Sequence, residues 1–140
     1  MIGFGKWAEL HAKFYVEEGA ELVAVSALSE VSRRRAAEMF GVDTYRDYRD
    51  LLARPDVEAV SVVVPNHLHA RVAMDALRAG KHVLVEKPMA LSTSDCRRMV
   101  ELARERGLKL MVGHELRFSP IMRKIRELID EGRLGEVRSC

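Results

Sequence analysis

The sequence predicts an α/β protein built on a doubly wound parallel sheet. Along a chain of 140 residues, short aliphatic segments typical of buried strands alternate with amphipathic segments typical of helices. The strand segments contain few polar residues, as expected of parallel strands that are covered on both faces. Repeated strand–helix–strand units imply right-handed crossovers, which place helices on both sides of a single sheet.

The first half of the chain opens on a glycine turn and then alternates helix and strand. A helix is predicted from the turn to about residue 18, and the mostly aliphatic residues 22–27 predict a buried strand. A second helix is predicted over residues 31–40, because Gly41 stands where a helix-ending glycine is favoured. A weaker helix over residues 45–53 closes before Pro55, and residues 59–64, rich in β-branched valine, predict the clearest strand.

The second half continues the alternation. Pro65 ends the strand, and Asn66 is predicted to cap a helix over residues 67–78. After a strand over residues 82–86, Ser92 and Asp95 resemble a capping box and start a helix to about residue 106. The remaining predicted elements are a strand over residues 108–112, a helix over 119–130 and the start of a further strand over 135–140.

The composition excludes several classes of function. Apolar residues make up 48% of the chain and charged residues 31%, which is the balance of one soluble globular domain. A net charge of +2 with interspersed signs argues against a nucleic-acid partner, and the sequence has neither a membrane-length apolar run nor a signal peptide. Cys96 and Cys140 are too few for a disulfide framework. We therefore expect a cytoplasmic protein with reduced thiols and no membrane association.

Residues 3–8 fit the G-x-G-x-x-G/A pattern of a phosphate-binding turn. Gly3 permits the tight turn, Gly5 lets a pyrophosphate approach the backbone, and the small Ala8 allows the helix to pack closely on the sheet. The helix that follows presents amide donors and the positive end of its dipole to the phosphates. The pattern requires a preceding strand, and only Met1 and Ile2 stand in that place.

The sequence leaves the choice between NAD and NADP open. An acid at the tip of the second strand binds the ribose 2′-hydroxyl of NAD, whereas an arginine nearby suits the 2′-phosphate of NADP. Residues 26–29 contain no acid, Glu30 lies slightly beyond them, and Arg33 and Arg34 follow within the next helical turn. The arginines favour NADP slightly, but a solvated helix face explains each of them equally well.

A charged pair follows the predicted strand over residues 82–86. Glu86 and Lys87 stand where the strand stops, and Pro88 prevents its continuation. Open α/β sheets bind their ligands at the carboxyl ends of the strands, so this position is suited to a site. An isolated pair of this kind is also typical of a solubilising ion pair.

Two other segments leave strand ends in the same way. Residues 65–69 contain Asn66, His67 and His69, but two histidines with no companion cysteine or acid cluster predict no metal site. Arg117, in the segment after the strand over residues 108–112, could bind an anion or pair with an acid that holds its loop.

Taken together, these segments resemble the amino-terminal half of the Gfo/Idh/MocA oxidoreductases. The resemblance spans essentially the whole chain and rests on four features in order: Gly3-Phe4-Gly5 with His11, Pro65-Asn66-His67-Leu68-His69, Glu86-Lys87-Pro88, and Arg117-Phe118 before Ser119-Pro120.

The resemblance implies a Rossmann-like NAD(P)-binding domain over residues 1–135, with residues 136–140 opening a second, α+β substrate domain that is absent. It implies Lys87 as the catalytic residue, beside the nicotinamide and in contact with substrate. The implied cofactor contacts are Gly3, Phe4, Gly5, Lys6, Trp7, Pro65, Asn66, His69, Glu86, Lys87 and Arg117.

The implied activity is hydride transfer between a sugar, polyol or related hydroxyl substrate and NAD or NADP. The alternative is a non-catalytic dinucleotide-binding module that senses redox state or provides an interaction surface. For the whole protein we expect a small-molecule substrate and a homo-oligomer.

The resemblance also implies truncation at both ends. In the strand order 3-2-1-4-5-6 the first strand is central, and its near-absence is expected to leave its two neighbours with exposed edges. The usual partner base lies in the absent second domain. We therefore expect the chain alone to be marginally stable and inactive.

Overall fold

The computed structural model describes residues 1–138 and shows five short strands alternating with helices. The strands are β1 (Ala24–Ser26), β2 (Asp43–Tyr45), β3 (Ala59–Val62), β4 (His82–Val85) and β5 (Leu110–Val112). The helices are α1 (Lys6–Glu17), α2 (Glu30–Phe40), α3 (Tyr48–Leu52), α4 (His69–Arg78), α5 (Thr93–Glu105) and α6 (Pro120–Asp130), with 3-10 turns at Asn66–Leu68 and Glu115–Phe118.

All strand pairs are parallel, and Ile2 joins them into one sheet. β1 pairs with β2, β3 with β4, and β4 with β5. Ile2 bridges Ser26 and Val62, and its N–H donates to the Ser61 carbonyl oxygen at 2.8 Å. The order β2–β1–Ile2–β3–β4–β5 is the doubly wound order with Ile2 in the central place, which confirms the predicted fold class.

The exposed edges that were expected on the two strands beside Ile2, β1 and β3, occur only on the amino side of Ile2. At the carboxyl end of the sheet, Ile2 satisfies backbone groups of both neighbouring strands, so the expectation is wrong there. On its amino side a cavity of about 650 Å³ lies between β1 and β3, lined by Ala24 and Val60 among others. The sheet is therefore continuous at the edge that holds the predicted site.

Two hydrophobic clusters cover the two faces of the sheet. Ala24 belongs to a large cluster with α3, α4 and α5, whereas its neighbour Val25 belongs to a smaller cluster with α1 and α2. Adjacent strand residues point to opposite faces, so this division places helices on both sides. Ala8 is fully buried in the smaller cluster, as the close packing of α1 on the sheet requires.

Two local predictions are wrong. Residues 43–45 form β2, although the sequence predicted a helix from residue 45; the helix there, α3, begins only at Tyr48. Asn66 makes no capping hydrogen bond, because the chain first forms a 3-10 turn over Asn66–Leu68 and α4 begins at His69. Apart from the strand predicted over residues 135–140, the other predicted helices and strands are confirmed to within a few residues at their ends.

The chain after α6 contains no strand as far as residue 138. The strand predicted over residues 135–140 is therefore not formed in its described part, and Ser139 and Cys140 lie outside the described residues. Within residues 1–138, every helix is too short or too polar to span a lipid bilayer.

Candidate functional site

The two glycines of the turn between Ile2 and α1 have different surroundings. Gly3 has φ +91°, and a Cβ on it would lie 2.0 Å from the Val63 carbonyl oxygen, so only glycine fits. Gly5 precedes α1, and a Cβ on it would meet no atom within 4 Å. No side chain caps the start of α1. The open backbone and the uncapped helix start fit a bound pyrophosphate.

The neighbours of these glycines point in different directions. The Phe4 side chain is buried and packs edge-on against Phe40 at 6.1 Å between ring centroids, so it holds the turn against α2. Lys6 is exposed beside the turn. Trp7 is 46% exposed, although its indole N–H reaches inward.

A buried carboxylate connects the glycine turn to the end of β4. Glu86 is 5% exposed, and its Oε1 accepts a hydrogen bond from Trp7 Nε1 at 2.9 Å and lies 3.1 Å from His11 Nε2. Its Oε2 accepts from the backbone N–H of Lys87 at 3.0 Å. A Cβ on Gly113 would lie 2.9 Å from Oε1, so a larger residue there would displace the carboxylate. Glu86 therefore fixes α1 to β4.

The hydrogen-bonded contacts of Glu86 continue from His11 to further polar side chains inside the protein. His11 Nδ1 lies 3.4 Å from both Tyr15 Oη and Ser61 Oγ, and the Tyr15 hydroxyl donates to Ser61 Oγ at 3.2 Å. Burial raises the pKa of Tyr15; the hydrogen bond with Ser61 opposes this rise, and the Glu86 carboxylate adds to it. This network was not predicted from the sequence. Its signal was the spacing of Trp7, His11 and Tyr15, four residues apart on one helix face.

Lys87 leaves the same strand end on the solvent side. Its side chain is exposed, next to the buried Glu86, and its peptide bond with Pro88 is cis. The Glu86 N–H donates to the Val62 carbonyl oxygen at 3.0 Å, which ties this strand end to β3. An interior acid and an exterior base thus follow one another at the carboxyl edge of the sheet.

His69 connects two loops from within the protein. It is 1% exposed, with Nδ1 at 2.7 Å from the Pro88 carbonyl oxygen and Nε2 at 2.9 Å from the Val64 carbonyl oxygen. Both ring nitrogens therefore face backbone groups of the loops that follow β3 and β4. A direct contact between His69 and a cofactor stays a prediction; its geometry supports a role in holding the Lys87–Pro88 segment.

The remaining predicted site residues lie on the surface. Pro65 and Asn66 are exposed in the loop after β3, and His67 is exposed beside them. Arg117 is exposed in the turn after β5, and within residues 1–138 no side-chain hydrogen bond or ion pair joins it to Trp7, Glu86 or Lys87. The described residues contain no cluster of three or more His, Cys, Asp or Glu suited to a metal ion.

An arginine of α2 reaches back to the loop after β1. Arg33 Nη1 donates to the carbonyl oxygens of Ala27 and Leu28, each at 2.8 Å. Arg34 instead pairs with Glu30 on the exposed face of α2. Arg33 is therefore held against the loop after β1, and the choice between NAD and NADP stays open.

Comparison with known proteins gives a consistent result. The family described as the oxidoreductase family with an NAD-binding Rossmann fold, GFO_IDH_MocA, matches residues 1–114. A 1-carboxy-3-chloro-3,4-dihydroxycyclohexa-1,5-diene dehydrogenase from Comamonas testosteroni is 40% identical over 140 residues, which is 99% of this chain and 35% of that protein.

Two solved structures show the same fold at similar coverage. A 3-ketoreductase from Actinomadura kijaniata, in complex with NADP and TDP-benzene, has a TM-score of 0.88 and 38% identity, covering 98% of this chain and 43% of that one. The WlbA dehydrogenase from Bordetella pertussis, with NADH and UDP-GlcNAcA, has a TM-score of 0.91 and 29% identity, covering 96% and 41%. The chain thus spans well under half the length of these proteins.

Proposed function

Because the chain belongs to the Gfo/Idh/MocA oxidoreductase family, we propose that it is the NAD(P)-binding part of an enzyme that transfers a hydride. The transfer runs between a nicotinamide cofactor and a sugar, polyol or related hydroxyl substrate. The observation that supports this most directly is the position of Lys87. It is exposed at the end of β4, and its neighbour Glu86 is hydrogen-bonded to Trp7 beside the glycine turn.

The residues at the carboxyl edge fit a dinucleotide in an extended arrangement. The open backbone at Gly5 and the start of α1 would hold the pyrophosphate, with Gly3 keeping the turn close to Val63. The loop after β1, with Arg33, would receive the adenosine ribose. Trp7, the exposed Pro65–Asn66 loop and Lys87 would surround the nicotinamide end.

The cofactor supplies the hydride chemistry, and the chain's own residues orient the reactants and manage charge. Oxidation of a hydroxyl leaves a developing negative charge on oxygen and a proton that must be moved. The Lys87 side chain can stabilise that oxygen as the ammonium ion, or accept the proton from it as the neutral amine. Glu86 and His69 hold the strand end and its loop, so that Lys87 extends from a fixed backbone.

The substrate class is proposed from the relatives. Their names and ligands include a dihydroxylated ring compound, TDP-benzene and the nucleotide sugar UDP-GlcNAcA. The ring diol of the first compound and the sugar of UDP-GlcNAcA support a hydroxyl on a ring carbon as the reacting group. We also propose that residues 1–135 form the cofactor domain and that the substrate is held mainly by a domain that follows it.

The wider expectations about the whole protein are proposals too. They are a cytoplasmic location, a homo-oligomeric state and no nucleic-acid partner; the net charge of +2 supports the last of these. Light scattering of the whole protein tests the oligomeric state.

Replacement of Lys87 tests the catalytic proposal in the whole protein. We expect Lys87→Met to lower kcat/KM by roughly 100-fold or more, because a positioned acid–base or charge-stabilising group is lost. Cofactor affinity should change little. Lys109→Met is the matched control, since Lys109 is exposed at the opposite end of the sheet, next to β5. Unchanged turnover in Lys87→Met would instead support a non-catalytic dinucleotide-binding module or another catalytic group.

A further inference from the structure

We propose that Glu86 is a positioning residue that acts on the cofactor through Trp7, whose indole ring forms one wall of the nicotinamide end of the site. This inference rests on the proposed function and assigns the carboxylate a role different from direct contact with the dinucleotide. Its basis is the hydrogen bond of 2.9 Å between Trp7 Nε1 and Glu86 Oε1.

The carboxylate of Glu86 is already bound by the chain itself. One oxygen faces Trp7 and His11, and the other accepts the backbone N–H of Lys87. The neighbouring Gly113 leaves less room than a methyl group would need. A buried carboxylate with these partners has its hydrogen-bonding demands met internally, so it has little to offer a ligand.

Trp7, unlike Glu86, leaves much of its side chain open to a ligand. Its polar atom is bonded inside the protein, while 46% of the residue is exposed beside the glycine turn. An indole that is anchored by its N–H presents a flat apolar ring at a fixed orientation, and a planar ligand ring can pack against it. Glu86 directly precedes Lys87, so the anchor and the catalytic candidate share one strand end.

The hydrogen bond between Trp7 and Glu86 predicts that these two side chains affect cofactor binding as a unit. If Glu86 works through Trp7, removal of either one should weaken cofactor binding, and removal of both should cost no more than one removal. If Glu86 contacts the cofactor itself, the two losses should add. A double-mutant cycle therefore separates the two roles.

The cycle is measured on this chain, in which Trp7 is the only tryptophan. We expect NADH or NADPH to quench Trp7 emission with energy transfer to the reduced nicotinamide. The fluorescence of the reduced cofactor measures its binding to each variant. Trp7→Phe and Glu86→Met should each weaken this binding by about ten-fold, and the double variant should bind as weakly as either single variant. Glu86→Gln, whose amide oxygen can still accept from the indole, should restore most of the affinity.

Controls keep the outcomes distinct. Glu9→Gln makes the same replacement on α1, where Glu9 pairs with Lys13 and Arg35, and it should leave binding and Trp7 emission unchanged. Thermal melting checks that each variant is folded. Losses that add in the double variant, or Trp7 emission that is insensitive to Glu86→Met, would overturn this inference alone. A wild-type chain that binds neither cofactor would overturn the proposed function together with it.

Discussion

At the scale of single residues, the two glycines of the turn have different physical roles. Gly3 is required by the fold, since its φ of +91° and the nearby Val63 carbonyl oxygen leave no place for a side chain. Gly5 has an ordinary φ of −89° and open space around it, so the fold does not require it. The space at Gly5 is instead available to a ligand that approaches the start of α1.

Alanine substitutions should separate these roles. Gly3→Ala is expected to lower the free energy of unfolding by about 2 kcal/mol or more, because a Cβ would overlap backbone that also pairs with Ile2. Gly5→Ala should leave that free energy unchanged to within about 0.5 kcal/mol. Urea unfolding measures both. Equal destabilisation by the two variants would show that the turn is not built as described.

At the scale of elements, helix starts differ in how firmly they are capped. Ser92 Oγ accepts the N–H of Asp95 at 3.1 Å and donates to the Asp95 carboxylate at 2.8 Å, which confirms Ser92 as the predicted cap of α5. Ser29 caps α2 more weakly, with 3.4 Å to the N–H of Ser32. α1 has no side-chain cap, and it is the helix whose first turn faces the proposed pyrophosphate position.

The difference in capping predicts a ranking of stabilities. Ser92→Ala should lower the free energy of unfolding by about 1 kcal/mol, and Ser29→Ala by less, because the longer hydrogen bond is weaker. Thr93→Ala, one position further on and exposed, is the control and should cost little. Chemical denaturation of the three variants gives the ranking, and a loss in Thr93→Ala as large as that in Ser92→Ala would contradict it.

Local sequence patterns predicted the elements that rest on local causes. The glycine turn, the helix that ends at Gly41 and the valine-rich strand β3 each follow from residues close together in the chain. β2 could not be predicted in this way, since its three residues are held by pairing with β1. Asn66 is a good capping residue by type, but the 3-10 turn after Pro65 moves the helix start beyond it.

The parts of the site that depend on local sequence patterns were also predictable. Lys87 and Gly5 follow from motifs that lie at strand and helix ends. The contact between Trp7 and Glu86 joins residues 79 positions apart, so no local pattern reveals it. The burial of His69 is likewise a tertiary fact, because the two carbonyl groups that face its ring come from different loops.

At the scale of the whole molecule, Ile2 determines how the sheet is held together. It bridges β1 and β3 at the edge that carries the site, while the cavity on its other side separates the same strands. The Met1 amino group lies at this junction, buried, and donates to the Ala24 carbonyl oxygen at 2.9 Å. Marginal stability of the chain by itself stays a prediction. The buried amine should make the free energy of unfolding depend on pH.

Burial lowers the pKa of the Met1 amino group from 8.0 to about 5. Between these values the unfolded chain binds more protons than the folded chain, so unfolding is favoured as the pH falls from 8 towards 5. We expect the free energy of unfolding to decrease over this window by at most about 4 kcal/mol. Denaturant unfolding at a series of pH values measures the slope, and acetylation of the Met1 amine should reduce it. An acetylated chain with the same slope would contradict this assignment.

We propose the carboxyl edge of the sheet, from the glycine turn to Lys87, as a dinucleotide site. Titration of the isotopically labelled chain with NAD and with NADP, followed by NMR spectra of the backbone amides, tests it most directly. We predict the largest shifts at Gly5, Lys6, Asn66 and Lys87, with the amides of α6 unaffected. No shifts with either cofactor, or shifts confined to residues away from this edge, would contradict the claim.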